Sequence, residues 1–100
     1  MISPREIAAR LLSSEVKGDL LSLFHRNPGL IDTVEGVALR IGRMGEVVED
    51  DVRDLLDLGL LKAKGIGGQR ILSLNRVRDR EIQALLAEHV RSSSDATERN

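Results

Sequence analysis

Apolar side chains recur at intervals of three and four residues in five segments of the chain. That spacing places them on one face of an amphipathic helix, and it predicts helices over residues 3–12, 14–26, 32–41, 46–58 and 75–91. Ser3, Asp32 and Asn75 are expected to cap three of these helices, because their side chains accept hydrogen bonds from N–H groups of the first turn. Gly42 and Gly59 are expected to end the third and fourth helices, since glycine readily adopts the left-handed conformation found there.

A different pattern occupies the stretch between the fourth and fifth helices. Residues 60–64 and 69–74 are typical of strands, and they flank the glycine-rich run 65–68, which can take the positive φ angles of a hairpin turn. Leu30 and Ile31 form a short apolar strand stub before the third helix. From the second helix onward the order is helix, strand stub, helix, tight turn, helix, hairpin, helix, which is that of a winged helix-turn-helix domain. The predicted fold class is therefore mainly α with a small β-hairpin wing (α+β) and extra N- and C-terminal helices.

The helix-turn-helix segment carries a more specific resemblance. Its helix and turn positions hold apolar and small residues: Val37, Ala38, Ile41, Gly42, Val48, Val52 and Leu55. The run Leu-Leu-Asp-Leu-Gly-Leu-Leu at 55–61 then stands where the second helix passes into the wing. Over residues 16–74 the chain resembles winged-helix transcriptional regulators of the multiple-antibiotic-resistance and arsenic-repressor type. That resemblance implies a regulator that binds double-stranded DNA, with flanking helices that often build a dimer.

The two ends of the chain lie outside this core. We divide the sequence into an N-terminal helical arm (1–13), a winged-helix domain that includes the last helix (14–91), and a polar tail (92–100) expected to be disordered. Both terminal helices carry apolar stripes, and two interpretations are open. The stripes either cover the core of the monomer or form a homodimer interface.

Composition excludes several classes of function. The chain has no Cys, and therefore no disulfide, thiolate metal site or Cys nucleophile; its one aromatic residue, Phe24, gives no platform for base stacking. It has no apolar run of membrane-spanning length and no secretory signal, so we expect a cytoplasmic protein without a membrane partner. It also shows no catalytic constellation and no metal-ligand spacing. We therefore expect neither an enzyme nor a cofactor.

Net charge conceals an internal asymmetry. The 15 basic and 16 acidic residues give a formal charge of −1, but residues 60–80 contain six basic residues and one acidic residue, a net +5. Positive charge on a wing favours contacts to DNA phosphates or the minor groove. The candidate DNA-binding residues are Lys62, Lys64, Arg70, Arg76 and Arg78, with Arg40 and Arg43 beside the helix-turn-helix turn. The alternative interpretation is an ordinary charged hairpin whose edge lysines maintain solubility.

The second helix of the helix-turn-helix departs from the family pattern, because its exposed positions are acidic. They are Glu46, Glu49, Asp50, Asp54 and Asp57. Carboxylates at this density repel DNA phosphates at close range and forgo counterion release. Three interpretations remain: a solvated acidic face, direct readout of the major groove by this helix, or a surface that docks a basic protein partner. The last would make the chain an interaction adaptor without DNA binding. We favour DNA association through the wing.

Overall fold

The computed structural model describes the backbone of residues 3–98 and the side chains of residues 3–91. Its elements in chain order are α1 (Pro4–Leu12), α2 (Glu15–Arg26), β1 (Ile31–Thr33), α3 (Val34–Arg40), α4 (Gly45–Asp57), β2 (Leu61–Ile66), β3 (Gln69–Leu74) and α5 (Arg76–Glu98). The predicted α+β winged helix-turn-helix is confirmed. Helices α3 and α4 form the helix-turn-helix, and β2 and β3 form the wing.

Two of the three predicted helix caps are present. The Ser3 hydroxyl accepts a hydrogen bond from the backbone N–H of Glu6 at 3.2 Å, and Pro4 occupies the first turn of α1. The Asn75 side-chain oxygen accepts one from the N–H of Arg78 at 3.2 Å. Local sequence therefore determines where α1 and α5 begin.

The predicted cap of α3 is wrong by one residue. Thr33, not Asp32, caps this helix, and its hydroxyl accepts a hydrogen bond from the N–H of Gly36 at 3.0 Å. The reason is tertiary, because Thr33 pairs with Ile71 and so extends β1 up to the first residue of α3. Asp32 instead lies within the strand, where its carboxylate accepts the N–H of Thr33 at 2.7 Å.

The three strands form one antiparallel sheet in the order β1-β3-β2. Strands β2 and β3 pair along their whole length, and the turn between them contains Gly67 and Gly68 with φ of +58° and +80°. Alternation turns Leu61, Leu72 and Leu74 toward the helices, where all three are buried. The other face of the sheet is turned away from the core.

One apolar core fills the space between the helices and the inner face of the sheet. Phe24 of α2, Val37 of α3 and Val52 of α4 are fully buried within it. Ile7 of α1 and Ile82 of α5 belong to the same core. The terminal helices thus cover the core of the monomer, and dimer formation through them stays a prediction.

The last helix is longer than its apolar pattern predicts. It runs to Glu98 rather than to Arg91, so its backbone is helical through most of the tail expected to be disordered. No Gly or Pro interrupts residues 92–98, and Ser, Asp and Thr are only mildly unfavourable inside a helix. Residues 99 and 100 of that tail lie outside the described residues. Along the part of the chain that is described, none of the helices is both long and apolar enough to span a bilayer.

Candidate nucleic-acid interface

The wing carries its two lysines on one face. Lys62 pairs in register with Ser73, and Lys64 with Ile71, so both side chains project from the outer face of the sheet. Both lysines are exposed, and neither forms an ion pair with any side chain among residues 3–91. Their ammonium groups are therefore available to an external anion.

Arg70 belongs to the opposite face of the wing. It pairs in register with Gly65, one position out of phase with the lysines, and this turns its side chain toward α4. There its guanidinium forms an ion pair with the carboxylate of Glu49. The structure therefore does not place Arg70 with Lys62 and Lys64, and an internal carboxylate already offsets its charge.

The two arginines that flank the helix-turn-helix turn also have internal partners. The Arg40 Nε lies 3.1 Å from the Asp32 carboxylate, and an Arg43 terminal nitrogen lies 3.2 Å from the Asp19 carboxylate. The pKa of Asp32 is lowered, chiefly by the hydrogen bond from the backbone N–H of Thr33 and next by the hydrogen bond from the Arg40 side chain. Both guanidiniums remain partly exposed and retain unused N–H donors.

The arginines at the start of α5 have other roles. Arg78 donates from Nε to the carbonyl of Leu58 at 3.2 Å and packs over Gly59, so it fastens α5 to the end of α4. β3 runs away from the hairpin turn, and Arg76 follows the far end of this strand. The Arg76 side chain lines a groove that is separate from the outer face of the wing. The structure does not bring these two side chains to the outer face of the wing.

The acidic face of α4 divides into three groups. Glu46, Asp50 and Asp57 are exposed on the outward side, where Asp50 lies 3.9 Å from the guanidinium of Arg53. Glu49 is held by the wing through Arg70. Asp54 faces the other way, toward α1 and α2. Three of the five acidic candidates therefore face outward, and only Glu46 and Asp57 among the five have no ion pair with a side chain in the range 3–91.

Asp54 takes part in a buried contact that the sequence analysis missed. Its carboxylate lies 2.7 Å from the Nζ of Lys17, a residue that is only 4% exposed. The same ammonium donates at 3.0 Å to the Arg10 carbonyl and at 3.0 Å to the Ser13 hydroxyl. All three of its protons are thus used, and Lys17 ties α1 and α2 to α4. Its hydrogen bond is the main cause of a lowered pKa at Asp54.

A sequence signal for Lys17 was present. It precedes Leu20 by three positions and Phe24 by seven, so it shares the helix face of two fully buried residues. A lysine on such a face must find acceptors inside the protein or extend to solvent.

Exposed apolar side chains surround the helix-turn-helix turn and were also missed. Leu39, Met44 and Val47 are 74%, 63% and 54% exposed. Leu39 and Val47 lie outside the buried stripes of α3 and α4, and Met44 precedes α4, so the sequence pattern already placed all three away from the core. Met44 and Val47 stand at the start of α4, on either side of Glu46 in the sequence, so this end of the helix carries exposed apolar side chains as well as negative charge.

No family model matches the sequence, and no curated protein matches it. Two solved structures share its architecture. The AntR antimony-specific transcriptional repressor is 20% identical, with 89% of this chain and 81% of that chain covered at a TM-score of 0.59. A possible transcriptional regulator for arsenical resistance is 19% identical, with 95% and 97% covered at a TM-score of 0.67. The chain has the fold of these winged-helix regulators.

Proposed function

We propose that the protein is a DNA-binding, transcription-regulator-like winged-helix protein that contacts the phosphate backbone through Lys62 and Lys64. The observation that carries the proposal is the exposure of Lys62 and Lys64 on one face of the wing, where neither ammonium group has an ion-pair partner among residues 3–91. The shared architecture with two regulators supports it at the level of fold. The partner is double-stranded DNA.

Charge determines how the remaining candidates contribute. Arg40 and Arg43 are secondary backbone contacts, since each already shares its charge with a carboxylate. The outward acids of α4 disfavour deep insertion of that helix into the major groove. We therefore expect binding dominated by phosphates, with a strong salt dependence and little discrimination by α4.

A homodimer through α1 and α5 is the second part of the proposal. Leu12, Leu85 and Val90 are exposed apolar residues on these helices, and a two-fold axis would bury them against a second copy. Such a dimer presents two wings symmetrically to DNA. Sedimentation at micromolar concentration tests it, because a mass that stays monomeric at every concentration would contradict the dimer.

Titration of the protein with a random duplex at several salt concentrations tests the DNA proposal. Each phosphate contact adds about 0.9 to the slope of log affinity against log salt, so replacing Lys62 and Lys64 by Gln should lower the slope by about 1.8 per protomer. Arg5→Gln/Arg91→Gln removes the same charge from the terminal helices and is the matched control. An unchanged slope in the wing variant, or equal losses in both variants, would contradict the proposal.

A second candidate function is an adaptor that binds a basic protein partner through α4. The exposed Leu39, Met44 and Val47 favour it, because apolar side chains beside carboxylates suit a basic amphipathic segment. The same titration separates the two functions. An absence of duplex binding even at low salt would favour the adaptor, whereas wing-dependent binding favours the regulator.

The neighbours' names refer to antimony and to arsenical resistance. Thiolates are the soft ligands that proteins offer to soft metals and metalloids, and these 100 residues contain no Cys. We therefore propose no metalloid effector bound by the residues of this chain.

A further inference from the structure

A groove of about 260 Å³ lies where the C-terminal part of α2, the end of β3 and the first turns of α5 meet. It is separate from the outer face of the wing. Its lining combines apolar, basic and hydrogen-bonding side chains: His25, Pro28, Leu74, Arg76, Asp79, Arg80 and Gln83. The volume is below the usual range for drug-sized ligands, so it suits a smaller molecule.

The acidic member of this groove is already satisfied. Asp79 is 8% exposed, and its two carboxylate oxygens lie 2.9 Å from the Nε2 of His25 and 2.7 Å from the Nε2 of Gln83. Both oxygens therefore have partners within the protein. The contact also fixes the His25 ring at one wall of the groove and joins α2 to α5.

The basic members have no such partners. Arg76 and Arg80 lie four residues apart, on the same side of α5, and both are exposed. Neither guanidinium forms an ion pair or a side-chain hydrogen bond with any residue in the range 3–91. The formal charges of Arg76, Arg80 and Asp79 sum to +1 in the groove.

Apolar surface completes the lining. Leu74 is buried at the end of β3, and Pro28 forms part of the loop that follows α2. A ligand with a carboxylate at one end and a short apolar body would satisfy both parts of the groove. Guanidinium groups match carboxylate geometry with paired N–H donors, and burial of the body against Leu74 and Pro28 adds a hydrophobic contribution.

We infer that this groove is a binding site for a small organic carboxylate, held by Arg76 and Arg80 at its charged end and by Leu74 and Pro28 along its apolar body. The inference concerns the protein free of DNA and does not depend on the proposed function. Because the groove joins α2, β3 and α5, its occupant would brace the start of α5 against the core.

NMR titration with sodium benzoate tests the inference, with NaCl exchanged to hold ionic strength constant at fixed pH. The chain has two histidines, and His25 lines the groove while His89 lies outside it. The ring signals of His25 should shift saturably with a Kd on the order of 1 mM, as expected for so small a ligand, while those of His89 stay unchanged. No saturable shift at His25 would overturn the inference.

Matched ligands and variants separate the contributions. Benzamide, the neutral analogue, and acetate, the head without the body, should each bind at least about tenfold more weakly than benzoate. Arg76→Gln/Arg80→Gln should weaken benzoate at least about tenfold, whereas Arg5→Gln/Arg91→Gln and the wing variant should not. Equal binding of benzamide, or full binding by the groove variant, would overturn the carboxylate site.

Two further outcomes would assign the groove to another anion. Inorganic phosphate that binds as tightly as benzoate, with the same dependence on the two arginines, would overturn the organic ligand. A random duplex that shifts His25 in an arginine-dependent way would reassign Arg76 and Arg80 to the DNA backbone. The proposed function is tested by a different result, because an unchanged salt slope of duplex binding in the wing variant would contradict it without affecting the groove.

Discussion

Lys17 provides a quantitative test of how the N-terminal arm is attached. Its ammonium is buried and satisfied by the Arg10 carbonyl, the Ser13 hydroxyl and the Asp54 carboxylate. Asp54→Ala removes the only negative charge among these partners and leaves a buried cation with two neutral acceptors. Loss of one partner from a buried ion pair costs about 3–5 kcal/mol. Asp54 is 41% exposed, so water can replace part of its contribution, and we expect a loss of about 2 kcal/mol.

Lys17→Met should cost less than Asp54→Ala, although it alters the more buried residue. Methionine keeps the length of the side chain and removes the charge. The polar groups that lose their contact with Lys17 can be hydrated by solvent instead. We expect a loss of about 1 kcal/mol, and nearly the same loss in the double variant. Without Lys17, Asp54 keeps only its ion pair with Arg10 at 3.5 Å, which is partly exposed and contributes little. Urea unfolding followed by far-UV circular dichroism measures all three, since the chain has no Trp or Tyr for fluorescence.

The dependence of unfolding free energy on acidic pH provides an independent test of the contact between Lys17 and Asp54. The pKa of Asp54 is lowered in the folded state, chiefly by the hydrogen bond from Lys17. Its contribution to stability is therefore present above the unfolded pKa near 3.8 and is lost as pH falls through the lower folded pKa. The unfolding free energy of Asp54→Ala should fall less steeply in this range than that of the parent protein. A larger loss in Lys17→Met than in Asp54→Ala, or strictly additive losses, would refute the reasoning.

Four further substitutions test the wing and the glycines. Arg70→Gln should lower the salt slope of duplex binding less than replacement of one wing lysine does. Glu49→Gln should strengthen binding severalfold at low salt, because it frees the Arg70 guanidinium. The titration with random duplex measures both effects. Gly59→Ala should cost roughly 1–2 kcal/mol, because its φ of +78° disfavours a side chain and its Cβ would lie 3.2 Å from the Cγ of Arg78. Gly18→Ala should instead stabilise the protein by about 0.5–1 kcal/mol, since Gly18 lies in open space inside α2; urea unfolding gives the sign of each change.

The sequence predicted the fold well because the signals for its elements are local. Helical spacing and capping side chains placed all five helices, and the glycines at 67 and 68 placed the hairpin turn. Where a long-range contact sets the start of a helix, the predicted cap was wrong. Pairing of Thr33 with Ile71 displaced the cap of α3 from Asp32 by one residue.

The candidate site was harder to predict, because charge counted along the chain does not specify a face. Arg70 and Lys64 belong to the same basic segment, but the register of the hairpin sends them to opposite sides of the sheet. Asp54 is likewise one of five acids on α4, and only the packing of α1 and α2 against that helix reveals its partner in Lys17. A linear sequence gives the net charge of such a segment but not the internal pairs that reduce its effect.

The position of β2 at the edge of the sheet has a consequence for self-association. One row of its backbone N–H and C=O groups is left without a strand neighbour, and such an edge is a template for pairing with another chain. Lys62 and Lys64 project from this strand, and charged side chains are the usual means by which proteins prevent edge-to-edge aggregation. The two lysines proposed to attract DNA therefore also keep one wing from adding to another. Apolar substitutions at these positions would carry a risk of fibrillar assembly that the polar Gln variants avoid.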